Sequence, residues 1–165
     1  MVKILTYHEI DQQQWSELLQ SSPTATWFQT PEAYEFYAAN PEEMMPFAIG
    51  VEEKECKVES LKYKGEENSE AETTASTPYT LHPTPALKGV IVGYITRERN
   101  ALKQYFTART IIPGGPLLSK KISNQALSTL LLSLNDKLVN TIYIESRNYN
   151  DYSAWKSIFE SCGFI

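Results

Sequence analysis

The chain has 165 residues, a formal net charge of -5 and a pI near 5.1, which suits one domain of ordinary size. A hydrophobic fraction of 42% with 12% aromatics is enough for a packed core and excludes wholesale disorder. The acidic balance and the lack of any basic run argue against a DNA- or RNA-binding surface, which needs clustered Lys and Arg. The two cysteines, Cys56 and Cys162, make neither a CxxC pair nor a disulfide framework, the usage expected in a reducing cytoplasm. The most apolar strip, from Gly89 to Ile95, is far shorter than the roughly 20 residues of a membrane-spanning helix. Glu9 and Asp11 exclude a signal peptide.

Val2 to Tyr7 alternates and is rich in β-formers, so it reads as a first strand. Asp11 then caps a helix running to about Gln20, with Gln14 as capping-box partner and Ile10 and Trp15 in the hydrophobic-staple positions. Thr30-Pro31-Glu32 starts a second helix, ending near Asn40 before Pro41. Pro46 to Glu53 reads as a strand. From Lys54 to Leu87 the pattern collapses into Lys and Glu, then Thr, Ser and Pro, and 54–87 is expected to be a flexible polar insertion.

Gly89 to Thr96 and Ala101 to Ile112 are expected strands joined by the turn Arg97–Asn100. Ile111 to Leu117 is a loop held out of helical structure by two prolines and two glycines. Ser123 caps a long helix with Leu127, Leu130, Leu131, Leu134 and Leu138 on one face. Thr141 to Glu145 is a strand. A last helix, capped by Asn150 or Asp151, buries Tyr152, Trp155, Phe159 and Cys162 and stops at Gly163. The order β-α-α-β-β-β-α-β-α predicts an α/β domain on a mixed sheet spanning 1–165. Helix 123–139 followed by strand 141–147 implies a sheet expecting further strands, so the domain is taken as incomplete at its C-terminus.

Few residues suggest chemistry. Cys162 sits on an apolar stripe and reads as core; Cys56, His8 and His82 have no recognisable partner. No cluster of His, Cys or carboxylates has metal-ligand spacing, and Glu66, Glu67, Glu70 and Glu72 read as a solvated run. Gly114-Gly115 lies between strand and helix, where backbone N–H groups can receive an anion or a carbonyl; it is either a tight structural turn or a substrate-contacting one. Arg109, at the end of one strand, and Glu145 with Arg147, at the end of the next, either orient a polar substrate or form a surface ion pair. Trp27 and Phe28 read as core rather than as a sugar platform.

The element order matches the first nine elements of the acetyltransferase (GNAT) fold, whose last two strands are absent here. Its acetyl-CoA signature fails, because the glycine position counted from Arg109 is Ile112. Ala25–Pro31, Gly89–Gly93, Pro113–Leu117, Ile144–Arg147 and Trp155 through Gly163-Phe164 resemble the Fem-type branch, the aminoacyl transferases of peptidoglycan bridge formation. The resemblance implies a cytoplasmic bacterial transferase domain acting on a peptidoglycan precursor or another small molecule. It further implies an aminoacyl-tRNA or acyl-CoA donor and a second GNAT-like domain beyond residue 165. The position of a substrate-binding lysine in some members falls at Tyr37. The expected substrate-binding residues are Arg109, Gly114, Gly115 and Arg147, with no catalytic base, metal or resident cofactor assigned. The alternative is a non-catalytic binding module that keeps the fold.

Overall fold

The computed structural model describes residues 1–56, 83–96, 107–137 and 141–164. Strand β1 (Val2–Thr6) leads through a 3₁₀ turn, Tyr7–Glu9, into helix α1 (Gln12–Ser21). A second 3₁₀ turn, Trp27–Gln29, precedes α2 (Pro31–Ala38). Strands β2 (Met44–Cys56), β3 (Pro83–Thr96), β4 (Arg109–Ile112) and β5 (Leu117–Leu118) follow. The chain then forms α3 (Asn124–Lys137), β6 (Tyr143–Ser146), and a 3₁₀ turn Ser153–Trp155 that continues as α4 (Lys156–Ser161).

The starts of the helices are written in their capping residues. The Asp11 carboxylate accepts the Gln14 N–H at 2.8 Å, and the Thr30 hydroxyl accepts that of Ala33 at 3.2 Å, with Pro31 at the first helical position. The expected capping box at Asp11 does not close. Gln14 instead turns its amide oxygen to the Leu87 N–H at 2.8 Å, beside the register shift of the β2–β3 ladder between Val51 and Glu52. Ser123 accepts the Ala126 N–H at 3.1 Å to start α3, and its own hydroxyl donates to Glu53. Asp151 accepts from Ser153 N–H at 2.8 Å, and Gly163, at φ 87°, ends α4.

The strands form a mixed sheet in the order β1-β2-β3-β4-β6, with β5 also paired to β3. Every pair is antiparallel except β4 with β6, which is parallel. The mixed α/β sheet is as expected, and β5 is an added strand: Leu117 and Leu118, expected at the loop's end, are fully buried and pair with Val90 and Gly89. Two other expectations change. Of the strand expected over Ala101–Ile112, the described part is β4, Arg109–Ile112, and it does not include Thr107 and Ala108; the Arg109 N–H goes to the Thr96 hydroxyl at 3.0 Å, and residues 97–106 lie outside the described residues. At the insertion, β2 and β3 remain paired out to Cys56 opposite Pro83, so 54–56 and 83–87 are ribbon rather than loop. Backbone pairing does not need apolar side chains, and Lys54 and Thr84 are exposed there. Residues 57–82 lie outside the described residues.

Each face of the sheet has its own core. Leu127, Leu130, Leu131 and Leu134 of α3 are buried against Ile49, Val51 and Ile91, each contributing about 2 kcal/mol. On the opposite face Trp15, Leu18, Ala33 and Tyr37 of α1 and α2 cover Ala48, Val90 and Val92. Tyr94 packs at the margin of that second core and lies in register with Ile111, which lies in register with Glu145. Side chains two residues apart share a sheet face, so Tyr143, Glu145 and Arg147 stand on the α1/α2 side. Tyr143 and Arg147 are exposed there: the helices cover the sheet's first three strands and leave this margin open.

Candidate functional site

The expected site residues do not form one cluster. Arg109 begins β4, opposite Tyr143, whereas Ile112 ends it, opposite Ser146. Arg147 follows Ser146, and its N–H donates to the Ile112 carbonyl at 2.9 Å. Arg109 and Arg147 therefore lie at opposite ends of the parallel pair, about 13 Å apart along the strands at roughly 3.3 Å per residue. Arg109 donates to the Tyr143 hydroxyl at 3.4 Å, and this contact raises its already high pKa. The Arg147 Nε–H donates to the Glu145 carboxylate at 2.7 Å, an exposed ion pair that likewise holds the guanidinium charged.

The glycine loop is clamped. Residues 113 to 116 are all buried. The Gln29 amide nitrogen donates to the Gly114 and Gly115 carbonyls at 2.9 and 3.0 Å, while its oxygen accepts the Thr26 N–H at 2.8 Å. The Tyr152 hydroxyl donates to the Pro116 carbonyl at 2.8 Å, and burial pushes its pKa up to about 12. Thr24 joins the same cluster, donating its hydroxyl to Pro116 and accepting the Leu118 N–H. Gly115 sits at φ 68°, and a Cβ there would overlap Asn148 Oδ1 and stand 2.8 Å from the Tyr152 oxygen. Only glycine fits both the torsion and the space.

The same 3₁₀ turn that aims Gln29 inward aims Trp27 outward. Trp27 is 51% exposed and Phe28 is half-buried, so neither is the core residue expected. Their neighbours form a chain of ring contacts. Tyr149 stacks on Phe28 at 5.8 Å between centroids, Phe28 meets Trp27 at 5.6 Å, and Trp27 meets Phe36 at 6.0 Å. Phe36 meets Tyr37 at 5.8 Å and Tyr37 meets Tyr94 at 4.8 Å. Arg147 stands at the margin of this ring: Tyr149 follows it by two residues, Tyr94 lies in register with Ile111 of the neighbouring strand, and charge interaction with both tyrosines helps hold the guanidinium protonated. Tyr37, the position matched to a substrate-binding lysine, is buried within it. Its hydroxyl has no hydrogen-bond partner among the described residues, and burial raises its pKa to about 12.

Six aromatic side chains thus run in one chain of contacts from Tyr149, just beyond β6 and two residues past Arg147, to Tyr94, in register with Ile111 of β4. Exposed ring faces can take a flat apolar or sugar surface, and a guanidinium carries five donors for an anion. No group of three or more His, Cys, Asp or Glu residues suited to a metal occurs among the described residues. Cys162 is half-buried on the apolar side of α4, as expected. No helix among the described residues is long and apolar enough to cross a membrane.

No family model matches the chain, and no curated protein matches it significantly. Among solved structures, the crystal structure of a probable acetyltransferase is similar, with a TM-score of 0.47 and 10% identity over 100% of this chain and 89% of that one.

Proposed function

We propose that the chain is a GNAT-like domain of the acyl- or aminoacyl-transferase class that holds its acceptor at the ring around Arg147. The observation that supports this is the placing of Arg147 and Tyr149 just beyond the carboxyl end of β6, with Tyr149 stacked on Phe28 and so joined to the chain of rings. Open sheets with parallel strands bind ligands at that end. An acceptor with an anionic group and a sugar or apolar face would meet Arg147 through the first and the rings through the second. The Fem-type resemblance makes the acceptor a peptidoglycan precursor and the donor an aminoacyl-tRNA, with acyl-CoA as the alternative donor.

In such a transfer the acceptor amine attacks the carbonyl carbon of the donor ester or thioester. The amide bond forms as the C–O or C–S bond breaks, and the proton lost by the amine leaves with the oxygen or sulfur. Holding the two reactants together supplies most of the catalysis, and no catalytic base is assigned.

A second reading, a binding module without chemistry, is favoured by the state of the glycine loop. Its carbonyls are taken by Gln29 and Tyr152, and Ile112, at the missing glycine of the acetyl-CoA signature, is buried with its own carbonyl engaged by Arg147. Incubating the protein with a muramoyl-pentapeptide precursor and labelled aminoacyl-tRNA or acyl-CoA separates the two. Label appearing on the precursor supports the transferase; bound precursor with both donors intact supports the module. Arg147→Ala is expected to weaken precursor binding about tenfold or more, the worth of a charge-assisted hydrogen bond. Unchanged affinity removes Arg147 from the site.

A further inference from the structure

Strand β1 stops at Thr6, opposite Ile49, while β2 extends to Met44 with no part of β1 beside it. At that step lies a cavity of about 210 Å³, lined by the ring-bearing residues Tyr7, His8, Tyr34 and Phe47 together with Ala48 and Ile49. Strand β2 is three strands from β6, and none of these residues belongs to the chain of six rings, so the cavity is separate from the site around Arg147. It is smaller than the roughly 300 Å³ at which pockets for drug-sized ligands begin, and it suits a small head group.

The lining is aromatic and its surroundings are acidic. Tyr7 and Tyr34 stack at 3.6 Å between centroids, and His8 meets Tyr7 edge-on at 5.2 Å. The Tyr7 hydroxyl donates to the Glu35 carboxylate at 2.5 Å, which anchors the ring. Glu32 acts electrostatically on the same phenol, and Glu9 accepts from both the N–H and the hydroxyl of Thr6. Of these three carboxylates, Glu9 is answered by Lys3 at 3.8 Å. No group of three metal-binding side chains occurs among the described residues, so the negative charge suits a cation that needs no ligand set. The faces of aromatic rings attract such a cation, and an ammonium enclosed by rings is a recurring mode of recognition. We propose that this cavity takes the alkylammonium head group of a small organic cation, held against Tyr7, Tyr34 and Phe47 with the Glu35 charge adding to the attraction. The site does not depend on the transferase reading, because its residues and its ligand are different.

Titration with choline, followed by the proton resonance of its methyl groups, tests this directly, with 3,3-dimethylbutan-1-ol as the neutral ligand of the same shape. The methyl signal is expected to move upfield, as it does against aromatic ring faces. Choline is expected to bind at least about fivefold more tightly than the alcohol, and Tyr34→Leu to remove at least about fivefold of the choline affinity. Glu35→Gln is an exposed change that keeps an acceptor for Tyr7. It is expected to weaken choline about threefold and to leave the alcohol unchanged. Circular dichroism of both variants keeps misfolding distinct from lost binding. Equal affinity for choline and the alcohol, no methyl shift with choline in the hundred-millimolar range, or undiminished choline binding by either folded variant would each overturn the proposal.

Discussion

The two sides of the short turn Trp27–Gln29 have opposite fates. Inward, Gln29 is fully buried and spends every polar atom of its amide on Thr26 and the glycine loop. Outward, Trp27 is half exposed and stands in the middle of the ring of aromatics, between Phe28 and Phe36. The glycine pair, conspicuous in the sequence, is a structural joint where β4, β5, the turn and Tyr152 meet. The tryptophan two residues before Gln29, inconspicuous in the sequence, is half exposed between Phe28 and Phe36.

Breaking the buried side should cost stability, and the largest effect is expected at Gly115. Gly115→Ala forces a left-handed torsion on a side chain and drives its Cβ into Asn148 and Tyr152. About 3 kcal/mol is expected, a fall of roughly 10 °C in melting temperature for a chain of this size. Gly163 has a similar torsion, φ 87°, with nothing within 4 Å, so Gly163→Ala should cost only about 1 kcal/mol. Equal losses at the two sites would show that Gly115 is held by torsion alone.

Tyr152 gives the next effect. In the folded chain it keeps its proton to about pH 12, because burial disfavours the phenolate, while an unfolded tyrosine releases it near pH 10. The unfolded state then binds fewer protons, so stability is complete below about pH 10 and falls between about 10 and 12. Tyr37, raised to about 12 by burial, adds to the same loss. Tyr152→Phe should flatten this alkaline decline in a pH series of thermal melts. It should also cost about 1 kcal/mol at neutral pH through the lost bond to Pro116.

The smallest stability effect is expected on the exposed side. Trp27→Ala should change folding free energy by no more than about 0.5 kcal/mol. Its precursor affinity should nevertheless fall several-fold, opposite in pattern to Gly115→Ala. A melting temperature that drops as far as that of Gly115→Ala would place Trp27 in the core after all.

Local signals were readable wherever a residue acts on its own neighbours. Asp11, Thr30 and Ser123 cap helices because a short side-chain oxygen reaches an N–H three residues on, and the leucine stripe of α3 faces the core because its period is helical. The candidate site was less legible, because it depends on meetings between distant segments. Tyr149 reaches Phe28 from the far end of the chain, and nothing in either neighbourhood encodes the encounter. Trp27 and Phe28 suggested core because large apolar side chains gain most from burial; here the adjacent Gln29 took the buried position. A strand starting at Ala101 puts Arg109 near its carboxyl end, on the same side of the sheet's ends as Arg147. Pairing begins at Arg109, which puts the two guanidiniums at opposite ends of the strand pair. The pairing of Arg147 with Glu145 was legible from their spacing on one strand, and the ring that surrounds Arg147 was not.

The three tryptophans report on three different places: Trp15 in the core, Trp27 in the ring, and Trp155 on the α3/α4 side of the sheet. Their indole N–H resonances, followed while a muramoyl-pentapeptide precursor is added, test most directly where a ligand binds. Binding at the ring predicts that the Trp27 signal moves while those of Trp15 and Trp155 stay in place. Movement of Trp155 with Trp27 unchanged, or no movement at millimolar precursor, would contradict the assignment of the ring as the acceptor site.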